Sequence, residues 1–249
     1  MHSIRSPLAL AALYLALSQG SAETVKDRAA GVRSDYAVMQ SSLRWIYNDI
    51  DRAFAQARKT GKPLLVALRC IPCKSCMGLD VSILNSPDLN PLLDQFVCVR
   101  IINANALDLS KFQFDYDLSF STLFFNGDGS VFGRFGSWQH QRDSNDTSLD
   151  SYKAALETAL QIHKSYPANR SQLASRQGSP VRYQSPIEIP TLAGKYSRDL
   201  DWKGRVVDSC VHCHQIGDAL REEHRARSNR MPLDLIYPMP GTAVAGFDL

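Results

Sequence analysis

Apolar residues fall at Ile50, Ala53, Phe54 and Ala57, spaced i, i+3, i+4 and i+7, which puts them on one face of a helix. Gly61 follows where a C-terminal cap belongs, because glycine adopts the left-handed conformation that ends a helix without a Cβ clash. After Lys62-Pro63 the pattern changes: Leu64 to Leu68 (LLVAL) is an unbroken apolar run, as in a central strand buried on both faces. Asp88 to Gln95 predicts a short helix, and Phe96 to Ile102 (FVCVRII) a second buried strand. Thr122 to Phe125 and Ser130 to Phe135 flank Asn126-Gly127-Asp128-Gly129, and Asn-Gly and Asp-Gly tolerate the positive φ of a tight hairpin. Ser148 to Lys164 predicts a closing helix with Tyr152, Ala155, Leu156 and Ala159 along one side. The order is helix, strand, helix, strand, hairpin, helix.

The flanks of this core read differently. Arg5 and the apolar run Pro7 to Leu17, followed by Gly20-Ser21-Ala22, predict a signal peptide over residues 1–22. That run falls short of the ~20 apolar residues of a membrane helix, so association with a membrane is expected only if the segment stays uncleaved. Residues 23–42 read as a polar, irregular, flexible leader, and the core domain spans 43–166. Residues 167–190, rich in Ser, Gln, Arg and Pro, read as a linker. Residues 191–249 form a C-terminal segment with one amphipathic helix around Ile216 to Arg225, too small to bury a sizeable core unaided.

Composition narrows the function classes. The net charge of +3 is scattered, with no basic face interleaved with aromatics, which argues against a nucleic-acid partner. Trp45, Phe112, Phe114, Tyr116 and Trp138 read as core or cleft wall, and Asp115 and Asp117 as solvated charge. The six cysteines are grouped as Cys70, Cys73 and Cys76, then Cys98, then Cys210 and Cys213. That is not the dispersed spacing of a small disulfide scaffold. In an exported chain, periplasmic or extracellular, such thiols can be oxidised. Cys98, within an apolar strand, reads as a small core residue.

From Lys62-Pro63-Leu64-Leu65-Val66 through Cys73-Lys74-Ser75-Cys76, the sequence resembles the thioredoxin superfamily, especially its exported branch. The resemblance implies an α/β thioredoxin-like fold, a central mixed sheet flanked by helices, with the C-terminal segment as a small helical and irregular extension. It implies that Cys73 and Cys76 are the redox pair and Cys70 an additional thiol; the register Cys70-Ile71-Pro72-Cys73 competes with it. Where relatives carry a cis-proline facing the pair, this sequence has Ser121. Cys210-Val211-His212-Cys213-His214 resembles the C-x-x-C-H attachment motif of c-type haem proteins. That resemblance implies thioethers at Cys210 and Cys213, His214 as an iron ligand, and Met231, Met239 or His224 as the sixth ligand.

Two chemistries suit these residues. A thiolate at Cys73, at the start of a helix, can attack a disulfide in an exported partner, and Cys76 one turn later can release the product. Electrons could then pass to or from haem c. Alternatively, Cys70, Cys73 and Cys76 hold copper or zinc in a non-enzymatic module while Cys210 and Cys213 hold haem or another metal, a zinc site with His212 and His214 being one form of it. A third expectation is a structural interaction protein in which both cysteine pairs are disulfides.

Overall fold

A computed structural model describes residues 25–70, 83–117, 120–136, 149–178, 180–228 and 230–236. Its centre is a five-stranded mixed sheet in the order β1-β3-β2-β4-β5. The strands are β1 (Trp45–Tyr47), β2 (Leu64–Arg69), β3 (Val97–Ile101), β4 (Phe120–Phe125) and β5 (Val131–Phe135). β1 and β2 run parallel to β3, while β4 pairs antiparallel with β2 and β5. The helices are α1 (Val25–Met39), α2 (Ile50–Thr60), α3 (Asn90–Leu93), α4 (Leu149–Lys164), α5 (Arg170–Leu173), α6 (Cys213–Arg225) and α7 (Leu233–Ile236). This is the expected α/β thioredoxin-like architecture.

The apolar run in β2 is explained by its position. All six of its residues are buried, and their side chains divide by strand alternation. Leu64, Val66 and Leu68 face one layer, with Val97, Val99 and Ile101 of β3 and Leu123 and Phe125 of β4. Leu65 and Ala67 face the other, with Cys98 and Phe124. α2 covers the first layer with Ala53, Phe54 and Ala57, as its periodicity predicts. Asp49 caps its start by accepting from the backbone N–H of Arg52, and Gly61 ends it at φ +67°. α4 covers the second layer with Tyr152, Leu156, Ala159 and Leu160.

Two flanking segments differ from the sequence expectation. Residues 25–39, read as an irregular leader, form α1, and its Val32 is 3% exposed against Val206, Val207 and Leu200. The partners of Val32 lie about 170 positions away in sequence, so no local window reveals the docking. Residues 167–190 are not an extended linker: α5 and two 3₁₀ turns (Ala174–Arg176 and Pro186–Glu188) fold onto the domain. Leu173 enters the α4-side layer and Ile189, fully buried, the α2-side layer. The C-terminal segment likewise has no core of its own; Leu192, Val211, Ile216 and Ala219 complete the α2-side layer. Too short to bury a core alone, it borrows the uncovered part of the sheet. β1 carried too few residues for a period to show.

Among the described residues, no helix is long and apolar enough to cross a membrane. The signal-peptide expectation for 1–22 lies outside the described residues.

Candidate thiol site at the carboxyl edge of the sheet

β2 ends at Arg69, and Cys70 is the first residue past the edge of the sheet. The neighbouring strands are closed off by Asn48, which ends β1 with φ +54°. Its Oδ1 accepts from the backbone N–H of Ile102 (2.8 Å) and Asn103 (3.1 Å), just past β3. Beneath this edge lie two buried cations, Arg69 and Arg100, 3% and 1% exposed. Both meet Asp35 of α1, at 3.1 and 3.6 Å, and the Tyr47 hydroxyl donates to the same carboxylate at 2.7 Å. Burial and the Asp35 charge push the Tyr47 hydroxyl well above the usual phenol range, so it stays a donor.

The C-x-x-C-H segment comes back to this same edge. Asn105, fully buried after β3, fixes it with three hydrogen bonds. Its Nδ2 donates to the carbonyls of Ser197 (2.7 Å) and Ser209 (2.8 Å), and its Oδ1 accepts from Val211 N–H (2.7 Å). His212 N–H donates to Gln215 Oε1 at 2.8 Å, and Gln215 Nε2 in turn donates to the Tyr196 hydroxyl at 2.9 Å. So anchored, His212 presents Nδ1 3.0 Å from Cys70 Sγ. Cys210 lies across a small pocket from Cys70, about 10 Å³, walled by Val32, Ile102, Leu200, Val206 and Val207.

The two thiols of this pocket differ in kind. Cys210 is buried and donates to the Ile102 carbonyl at 3.4 Å; burial pushes its thiol up to about 12. Cys70 is half-buried beside an imidazole. Cys98, expected in the core, is 1% exposed and pushed up to about 12 by burial. Cys73 and Cys76 lie outside the described residues; the chain leads into them directly from Cys70. Ser121, expected in the cleft position, is buried in β4 opposite Leu68, two residues before Cys70.

The residues of the C-x-x-C-H motif do not fit a covalent haem. Cys210 faces the Val206 cluster, Cys213 packs on the α2-side core and His214 is exposed on α6. The pocket beside Cys210 takes in neither Cys213 nor His214 and has room for about one water. Of the expected sixth ligands, His224 sits ten residues after His214 on α6, about 15 Å along the axis, too far for both to bind one iron. Its Nε2 instead lies 2.6 Å from the Arg230 carbonyl. Met231 is half-buried beyond α6, and Met239 lies outside the described residues. Among the described residues no three of His, Cys, Asp or Glu come together as a metal site.

Phe112, Phe114 and Tyr116 are core residues as expected, and Trp138 lies outside the described residues. Asp117 is not simply solvated: Arg221 of α6 holds it through two bonds of 2.9 and 3.1 Å. Sequence reasoning missed Asn105, Asp35 and the meeting of His212 with Cys70. His212 carried a signal in the spelling of its motif; Asn105 and Asp35 carried none.

A family model described as thioredoxin-like matches residues 45–127, from β1 to the β4–β5 turn. A search of curated proteins found no match to the chain. The match and the strand order agree, and the chain carries a thioredoxin-like domain whose carboxyl edge bears Cys70.

Proposed function

We propose that this chain is an exported thiol–disulfide redox protein in which Cys73 attacks a disulfide of a partner protein and Cys76 resolves the mixed disulfide. The observation that carries the reading is the exit of the chain from β2. A central strand buried on both faces stops at Arg69, Cys70 follows at the carboxyl edge of a thioredoxin-like sheet, and Cys73 and Cys76 come three and six residues later in the sequence. Ligands of open α/β sheets gather at that edge, because the strands end there and the loops are free to vary. A thiolate past such a strand is stabilised when a helix begins there. Export rests on residues 1–22 and provides the oxidising surroundings in which a partner disulfide exists.

The experiment is disulfide trapping. A Cys76→Ser chain retains partner proteins in complexes that a reductant dissolves, and Cys73→Ser added to it abolishes them. Exchange with a model protein disulfide at the unmodified rate after Cys73→Ser would refute the proposal.

A further inference from the structure

We propose that Cys70 and His212 form a second thiol–disulfide exchange pair, in addition to Cys73 and Cys76, which takes a small-molecule disulfide and forms a mixed disulfide on Cys70. The pair is made by the fold. Cys70 is fixed by the end of β2 and His212 by Asn105 and Gln215, so 142 positions of sequence separation close to 3.0 Å between Sγ and Nδ1. An imidazole at that distance can accept the thiol proton, the arrangement that makes a cysteine nucleophilic at neutral pH.

The step balances without a further oxidant. His212 takes the proton of the Cys70 thiol, and the sulfur attacks one sulfur of R–S–S–R. A Cys70 S–S–R bond forms as the original S–S bond breaks, and the departing RS⁻ takes the proton as RSH. The Cys70 sulfur is oxidised and the departing sulfur reduced. One feature favours a small substrate. Cys70 is half-buried at the wall formed by Val32, Leu200, Val206 and Val207, which hinders approach by a folded protein.

The test uses the full chain carrying Cys73→Ser and Cys76→Ser, so its outcome is independent of the exchange reading above. With oxidised glutathione at pH 7, peptide mass spectrometry follows each remaining cysteine. Cys70 is expected to be modified ahead of Cys98, Cys210 and Cys213. Adding His212→Gln slows Cys70 at least tenfold, and a His212→Ala chain regains rate when free imidazole is supplied. The proposal is overturned if Cys70 in the parent chain reacts no faster than Cys213, a comparison that needs no His212 variant to fold. It is overturned equally if folded His212→Gln reacts at the parent rate, or if imidazole restores nothing.

Discussion

Replacing Asn105 by alanine tests how the C-terminal segment is held. The side chain is fully buried and makes three hydrogen bonds that reach residues 92 to 106 positions away. Ser197 is exposed and Ser209 half-buried, so their carbonyls can turn to water, and each lost bond costs about 0.5–1 kcal/mol. Val211 is 1% exposed, and its N–H, which donates to Asn105 Oδ1 at 2.7 Å, is left without that acceptor. An orphaned buried donor costs about 1–3 kcal/mol. The sum is about 2–5 kcal/mol, a large share of the ~5–15 kcal/mol by which a domain is stable. Urea unfolding followed by circular dichroism measures it, and hydrogen exchange at the Val211 amide locates it. Because Val211 precedes His212, Asn105→Ala also slows glutathionylation of Cys70. A loss below about 0.5 kcal/mol with unchanged Val211 exchange would refute the reasoning.

Three further outcomes follow from single side chains. Burial works against the Asp128 charge, but hydrogen bonds led by the Tyr166 hydroxyl and Ser130 N–H outweigh it and hold its carboxyl at about 2 against an ordinary 3.8. Its folded value is the lower one, so its stabilisation is present above about 4 and lost as pH falls through about 2; melting scans of Asp128→Asn should differ from the parent at pH 6 and converge with it near pH 2. The thiols of Cys98 and Cys210 are raised from 9.0 to about 12, so the unfolded chain ionises first and stability falls between those values. Cys98→Ala should flatten that alkaline decline by about 1.4 kcal/mol per pH unit in urea titrations at pH 9.5 and 11, and an unchanged slope would contradict the burial argument. Gly61 caps α2 at φ +67° with open space where a Cβ would sit, so Gly61→Ala pays only the backbone cost of about 1–2 kcal/mol, read from the urea midpoint.

What the sequence disclosed follows the range of the interactions. Residues Ile50 to Ala57 and Leu64 to Leu68 announce their elements because both faces and their periods are written locally. The hairpin over Asn126 to Gly129 is legible for the same reason, its turn chemistry lying within four residues, although only Gly129, at φ +93°, takes the positive φ that both dipeptides allowed. α1 was not legible, since its docking depends on Val206 and Val207, and neither was the fold of 167–190, whose Leu173 and Ile189 are single apolar residues in polar surroundings. At the site, the C-x-x-C-H spelling drew attention to Cys210, Cys213 and His214. The residue that meets the thiol cluster is the one between the cysteines, His212. Spacing alone does not say which way a segment faces once Asn105 pins its backbone.

The beginning and the end of the described chain meet at one place. Val32 of α1 and Val206, Val207 and Cys210 of the C-terminal segment share a cluster with Ile102, just past β3. Each buried aliphatic side chain there contributes about 1.5–3 kcal/mol, so α1 and the segment support each other. Asp35 extends the same link to Arg69, the residue before Cys70. The carboxyl edge of β2 is therefore walled by two segments that the thioredoxin-like core, residues 45–127, does not contain. Thiol chemistry at Cys70 is then a property of the whole chain, because the core fixes the sulfur and the C-terminal segment brings the imidazole. Any local opening that frees Val211 from Asn105 separates the two halves of that pair.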